Sequence, residues 1–530
     1  MNKVIIIGLD GADFEYIDPL LEQGKVPNIG RLIANGFSAD FDSSAVPCTS
    51  QAWPSILTGT DPGRHGVYDG EMLSPKYDKV VAPLRGPRTN CFWRYLSERG
   101  VRSLIINVPM VYPVRACEKA KVISGFDSPL TGDRFCYPTD YLRQLEEKGV
   151  TYDWHIEQTR LCQQFEMKKS FYEEFRTGIW RQFKSVVDVS RVEDWDCLMT
   201  VFQFSDWIVH NTTRLDLIER TYLELDKVIG KFTENWPSAD FFVLSDHGIR
   251  PARYRVSINK LLADLGLVQF HPVLIPDYHE IEVGIRKKSL NKVLSHWGGR
   301  FYKRLPMRAK ALVTRALVNR YPHLFLKWGK VDFSRSEVFF VGMGSIYINS
   351  KSKFSEGIVE DSRTNQLIDE VERAMQGIRD QNGREIIECA RPDRIWQLEN
   401  TSSGSVVPDL VFRARLPGYY LAKVCISGKL VEDVHEEFGV HWRTGIFLGA
   451  GPEIPQVSGR LQADLVDFAP TLFNTLGLPV PRSLTGQSLL GPESVRETYR
   501  SENPIEEETS EISEQNIAEV EQRLKDLGYI

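Results

Sequence analysis

The sequence predicts an α/β protein whose central sheet is mostly parallel and flanked by helices. Two observations predict it. Short runs rich in β-branched residues alternate along the chain with helical patterns. These runs are apolar throughout, as strands covered on both faces must be. At 530 residues the chain is long enough to bury a large core.

The strand-like runs are "KVIIIGLD" at 3–10, "SLIINVP" at 103–109, "DCLMTVFQF" at 196–204, "DFFVLSDHG" at 240–248, "DLVFR" at 409–413 and "TGIFLGAG" at 444–451. Helical patterns fall at Tyr16–Gln23, Asn28–Asn35, Phe92–Glu98, Arg214–Phe232 and Asp361–Asp380. Two stretches break this rhythm. Pro138–Glu193 is rich in charge and aromatics and reads as a helical insertion, and Pro272–Asp332 reads as a second one. We expect a core over residues 1–500, a cap formed by the insertions at about 138–193 and 272–332, and an acidic tail at 501–530 that ends in a short amphipathic helix. No internal repeats are visible.

The net charge of −6 and a hydrophobic share of 42% fit an ordinary soluble protein and give no argument for nucleic-acid binding. Eight scattered cysteines with no CxxC pair fit a reducing compartment. The first residues, "MNKVIIIGLDGAD", lack the pattern of a signal peptide, and no apolar run approaches the ~18 residues of a membrane span. The expected location is cytoplasmic.

Candidate chemistry begins with "VPCTSQAWPSILTGTDPGRHG", Val46 to Gly66. Trp53–Thr58 reads as a short helix ended by Gly59, which sets Cys48, Thr49 and Ser50 near a helix N-terminus that favours an anion. Any of the three could be a nucleophile. Asp10 follows the first strand, where open α/β sheets bind ligands. Asp206 and His210 stand four apart after a strand-like run, a spacing that puts both on one helix face. Asp246 and His247 close another strand, with Gly248 to let the backbone turn. His441 precedes the last long strand. Three Asp, three His and a hydroxyl divide into two sites of three or four ligands each. Two ions about 3.5–4 Å apart form the clamp used in phosphoryl transfer. Mixed imidazole and carboxylate ligands suit Zn2+, with Mn2+ as the second choice.

In the order of these motifs the chain resembles the alkaline phosphatase superfamily, and within it the type I phosphodiesterase/nucleotide pyrophosphatase branch. The resemblance runs from "VIIIGLDGAD" to "DLVDFAPTLFNTLGLPVPRSLTGQSLL". It implies an alkaline-phosphatase-like core and one ion held by Asp206, His210 and His441. It implies a second ion held by Asp10, Asp246, His247 and Thr49, with Thr49 as the nucleophile ten residues before Gly59. The implied reaction is hydrolysis of an anionic phosphodiester or pyrophosphate through a phosphothreonine. A phosphomonoesterase, mutase or head-group transferase with the same centre is the enzyme alternative. A degenerate relative that only binds metal or anions is the non-enzyme one. The Cys-x-Pro-x-Arg motif of the superfamily's sulfatases is absent after Cys48, so Cys48 reads as a packing residue. Gly70 stands where many nucleotide pyrophosphatases carry a phosphate-binding Asn, so that oxygen falls to another group, such as the Thr49 amide. His65 reads as a residue that fixes its loop.

From Val283 to Val331 the chain has thirteen basic residues and no acidic one. A solvated face, a cap that steers anionic substrate and peripheral docking on anionic lipid all fit this run.

Overall fold

A computed structural model describes residues 2–82, 87, 89–129, 134–152, 169–270, 331–398, 404–423, 429–434, 438–491, 495–502 and 514–527. The main sheet has nine strands: β1 (Val4–Leu9), β2 (Gly36–Asp42), β3 (Ser103–Val108), β4 (Ala120–Ser124), β5 (Cys136–Tyr137), β6 (Cys197–Phe202), β7 (Asp240–Leu244), β14 (Thr444–Ala450) and β15 (Arg460–Asp464). Their spatial order is β15-β2-β14-β7-β1-β6-β3-β4-β5. All run one way except β14 and β5, which pair antiparallel with their neighbours. The sequence "TGIFLGAG" thus forms a strand of the main sheet, but a reversed one.

Both faces are covered, which is why the strands are apolar throughout. Ile5, Ile7 and Leu9 of β1 enter one core, and Val4 and Ile6 enter the other. The first face carries α1 (Phe14–Glu22), α2 (Pro27–Asn35), α6 (Lys169–Val192) and α8 (Leu215–Asn235). The second carries α3 (Thr49–Thr58), α4 (Phe92–Glu98) and α10 (Phe468–Thr475). Within the first insertion, α5 (Tyr141–Glu147) and α6 are described. The latter buries Phe175, Ile179, Val186 and Val189 in the sheet's core beside α8 and β6. Near the end of the chain, α11 (Glu514–Leu527) adds Val520 to the same core.

A smaller sheet stands beside the main one. Its strands are β9 (Val338–Val341), β10 (Ser345–Ile348), β11 (Ile387–Ala390) and β12 (Leu410–Ala414), all antiparallel. The run "DLVFR" belongs here, not in the parallel sheet. Leu367, Val371 and Met375 of α9 (Asp361–Gln376) cover it. An ionic cluster joins the two layers. Arg443 Nε donates to Asp42 Oδ1 at 2.8 Å and its Nη1 to Glu388 Oε2 at 3.1 Å. Arg413 Nη1 donates to the Ser43 carbonyl at 2.9 Å.

The second insertion, 272–332, lies outside the described residues except for its last two, and so does the basic run apart from Val331. The chain on either side is paired. Phe270 bridges Val331, and Asp332 N–H donates to the Gln269 carbonyl at 2.9 Å. Among the described residues no helix is long and apolar enough to cross a membrane.

The second core is centred on Phe447 of β14, whose ring meets Phe37, Phe41, Phe242 and Phe468 at centroid distances of 4.9–6.0 Å. Phe447→Ala should lower the unfolding free energy by roughly 3–5 kcal/mol, measured by urea denaturation. A change below about 1 kcal/mol would show that this cluster is not a main support of the core.

Candidate metal centre

Sheet direction gathers the candidate residues at one edge. Asp10 follows β1 directly, and Asp246 and His247 follow β7. Asp206 and His210 lie on α7 (Phe204–Asn211), which only Gln203 separates from β6. Thr49 follows β2. His441 lies on β13 (Gly439–Trp442), which pairs antiparallel with β8 (Gly248–Pro251) and leads into β14. Because β14 is reversed, its beginning lies where the parallel strands end.

Two groups of ligand atoms result. Asp206, His210 and His441 form one, and Asp10, Asp246 and His247 the other, each with its atoms within 4.8 Å of one another. The His247 and His441 rings stack at 4.0 Å and join the groups. Backbone carbonyls set the imidazoles. Each Nδ1 lies 3.0 Å from one: His210 from Gly439, His247 from Gly248 and His441 from Pro47. A carbonyl only accepts, so each Nδ1 carries the proton and each Nε2 presents a lone pair.

These lone pairs converge. His210 Nε2 lies 2.8 Å from His441 Nε2 and 3.2 Å from Asp206 Oδ1. His247 Nε2 lies 3.2 Å from Asp246 Oδ2 and 3.9 Å from Asp10 Oδ1. Asp10 Oδ1 and Asp246 Oδ2 are buried and receive no hydrogen bond. The donors of each group, imidazole nitrogens and carboxylate oxygens, fit a divalent metal.

The carboxylates feel the crowding. Burial, with Asp246 and Asp206 nearby, pushes the Asp10 carboxyl well above its usual range. Burial also raises Asp246, against the pull of His247. Asp206 goes the other way: burial would raise it, but His210, His441 and His247 hold it down. Burial, with His247 and His210 beside it, pushes the His441 imidazole well below its usual value.

Thr49 is the first residue of α3, which starts four residues earlier than the sequence suggested. Its Oγ1 lies 3.2 Å from His247 Nε2. Cys48 caps the helix with extended backbone and is buried, and burial pushes its thiol well above the usual range, so it remains a neutral packing group. Ser50, the next residue of α3, is buried. His65 accepts from Val67 N–H at Nδ1 and donates from Nε2 to Ser55 Oγ at 3.0 Å, so it ties its loop to α3.

Gly11 and Trp53, which the sequence did not mark as site residues, hydrogen-bond to candidate ligands. Gly11 N–H donates to Asp246 Oδ1 at 3.2 Å, and Trp53 Nε1 donates to Asp10 Oδ2 at 3.0 Å. Asp69, beside Gly70, is fully buried. Its carboxylate accepts from Met343 N–H, Gly344 N–H and Ser345 Oγ–H at 2.9–3.0 Å. Burial lifts its pKa to about 6, although these donors pull it down.

A family model described as type I phosphodiesterase / nucleotide pyrophosphatase matches residues 4–424. The chain belongs to that family. The enzyme is a phosphoric ester hydrolase. Solved structures with TM-scores above 0.5 share its fold. Phosphonoacetate hydrolase from Sinorhizobium meliloti 1021, in complex with phosphonoformate, is 14% identical with a TM-score of 0.53, over 90% of the enzyme and 96% of that chain. The alkaline phosphatase PafA is 13% identical with a TM-score of 0.52, over 92% and 98%. Murine ectonucleotide pyrophosphatase/phosphodiesterase 5 is 12% identical with a TM-score of 0.47, over 90% and 96%. Among curated proteins none matches.

His441→Ala removes one ligand from a three-residue group. Elemental analysis should find about two ions per chain in the parent and about one in the purified variant, with the Asp10 group still filled. Equal metal content in the two proteins would remove His441 from the ligand set.

Proposed function

We propose that the enzyme cleaves phosphodiester or pyrophosphate bonds by two successive displacements at phosphorus, with Thr49 as nucleophile. The reading includes two divalent ions, Zn2+ before Mn2+, held by Asp206, His210 and His441 and by Asp10, Asp246, His247 and Thr49. The position of Thr49 Oγ1, 3.2 Å from a candidate ligand nitrogen and at the first turn of a buried helix, carries it. Bound ions would supply Lewis-acid stabilisation of the attacking and leaving oxygens.

The chain's own groups do the rest. The Thr49 hydroxyl gives up its proton to solvent water, and Oγ1 bonds to phosphorus as the bond to the leaving oxygen breaks. The leaving group departs with that electron pair. Water then attacks the phosphothreonine and loses one proton to solvent, and Thr49 Oγ1 leaves and recovers a proton from solvent. The amino end of α3 favours the negative charge gathered on the phosphoryl oxygens. His65 and Gly59 hold that helix at its far end.

After chelation and return of Zn2+ or Mn2+, bis-p-nitrophenyl phosphate should be turned over faster than p-nitrophenyl phosphate. The reverse preference would move the assignment to a monoesterase. Thr49→Ala should fold and lose several orders of magnitude in rate, Thr49→Ser should keep a measurable fraction, and Ser50→Ala should be close to the parent. Two displacements also require retention of configuration with a chiral thiophosphate diester. Inversion, or an active Thr49→Ala enzyme, would reject the covalent route.

A further inference from the structure

The helix that carries the nucleophile also touches a candidate ligand. We propose that Trp53 is a positioning residue for the group formed by Asp10, Asp246 and His247, and that its indole N–H holds one Asp10 oxygen so that the other is presented to a divalent cation. The inference rests on the two-metal reading above.

Three observations carry it. The first is the division of labour on the Asp10 carboxylate. Its Oδ2 accepts from Trp53 Nε1 at 3.0 Å, while its Oδ1 is buried, receives no hydrogen bond and lies on the side of His247 Nε2. One fixed oxygen sets the plane of the carboxylate, which is what a ligand needs from its neighbours.

The second is that the indole itself cannot turn. Trp53 is fully buried, and its ring lies over β1 at Gly8. A Cβ on Gly8 would stand 2.6 Å from Trp53 Cη2, so only glycine admits the ring there. Residues two apart on a strand share a face, so a ring seated over Gly8 brings its N–H to Asp10. A buried indole N–H needs some acceptor, and a backbone carbonyl would satisfy packing alone. Here the acceptor is a carboxylate of the ligand group.

The third is helical spacing. Thr49 and Trp53 are four residues apart on α3 and share one face. Thr49 Oγ1 reaches His247 and Trp53 reaches Asp10 from the same short helix. The attacking hydroxyl and the orientation of one ligand are therefore set by the same rigid body.

The test is Zn2+ affinity of the whole chain, measured by competition with a chromophoric chelator, alongside the melting temperature of the metal-free protein. Trp53→Phe keeps the ring in the core and removes the N–H. It should weaken one of the two sites by about 10- to 100-fold and leave the other at the parent's affinity. Ile56→Ala, a buried packing change on the same helix that keeps the N–H, should leave both affinities unchanged. Equal affinities in Trp53→Phe and parent, or the same loss in Ile56→Ala, would overturn the inference. If Trp53→Phe does not fold, benzothienylalanine placed at 53 keeps the indole shape, replaces N–H by sulfur and should show the same single-site loss. Failure of the underlying reading looks different: the parent itself would bind fewer than two ions.

Discussion

Three hydrogen bonds from imidazole Nδ1 to backbone carbonyls hold this centre together. Gly439, Gly248 and Pro47 each fix one ring, and in doing so turn three lone pairs toward three buried carboxylates. The carbonyls lie on segments tied to the sheet, so the rings inherit its rigidity. Lone pairs this close repel in a dry interior, and folding brings them together only because the sheet leaves them no other place. The structural cost and the chemical use share one origin, a set of donors in search of a positive charge.

Strand direction is the second requirement. In a wholly parallel sheet a residue placed before a strand would fall on the opposite edge from Asp10 and Asp246. Reversal of β14 between β2 and β7 brings the chain before it to the functional edge. The smaller sheet steadies the same edge from outside. Arg443, two residues past His441, is clasped by Asp42 and Glu388, and Arg413 holds the carbonyls of Ser43 and Ser44 on the way to Thr49. A layer that supplies none of the seven candidate ligands thus holds the segments that carry two of them.

Much of this was legible in the amino-acid order. The apolar runs located β1, β3, β6 and β7 because burial on both faces excludes polar residues. The seven candidate ligands stood out by type and by position after strands. Direction did not show, since an apolar run reads the same for a parallel and a reversed strand, and so β12 and β14 were misjudged. The start of α3 was missed because Thr49 and Ser50 resemble capping residues, whereas extended Cys48 does the capping. Trp53 and Asp69 gave no signal of their own. An aromatic in an apolar helix looks like core, and a lone Asp before glycine looks like a turn. Only the partners, Asp10 and the amides of Met343 and Gly344, give them meaning.

The stem made by Phe270 and Val331 bears on how such an enzyme could change over time. Sixty residues separate the two partners along the chain, yet the bridge sets them side by side. Each doubling of a loop closed in this way costs only about 0.6 kcal/mol. So long as the two partners still bridge, a longer or shorter stretch between them adds little to the cost of closure. The stem therefore works as a splice point, where new recognition could be grafted onto old chemistry.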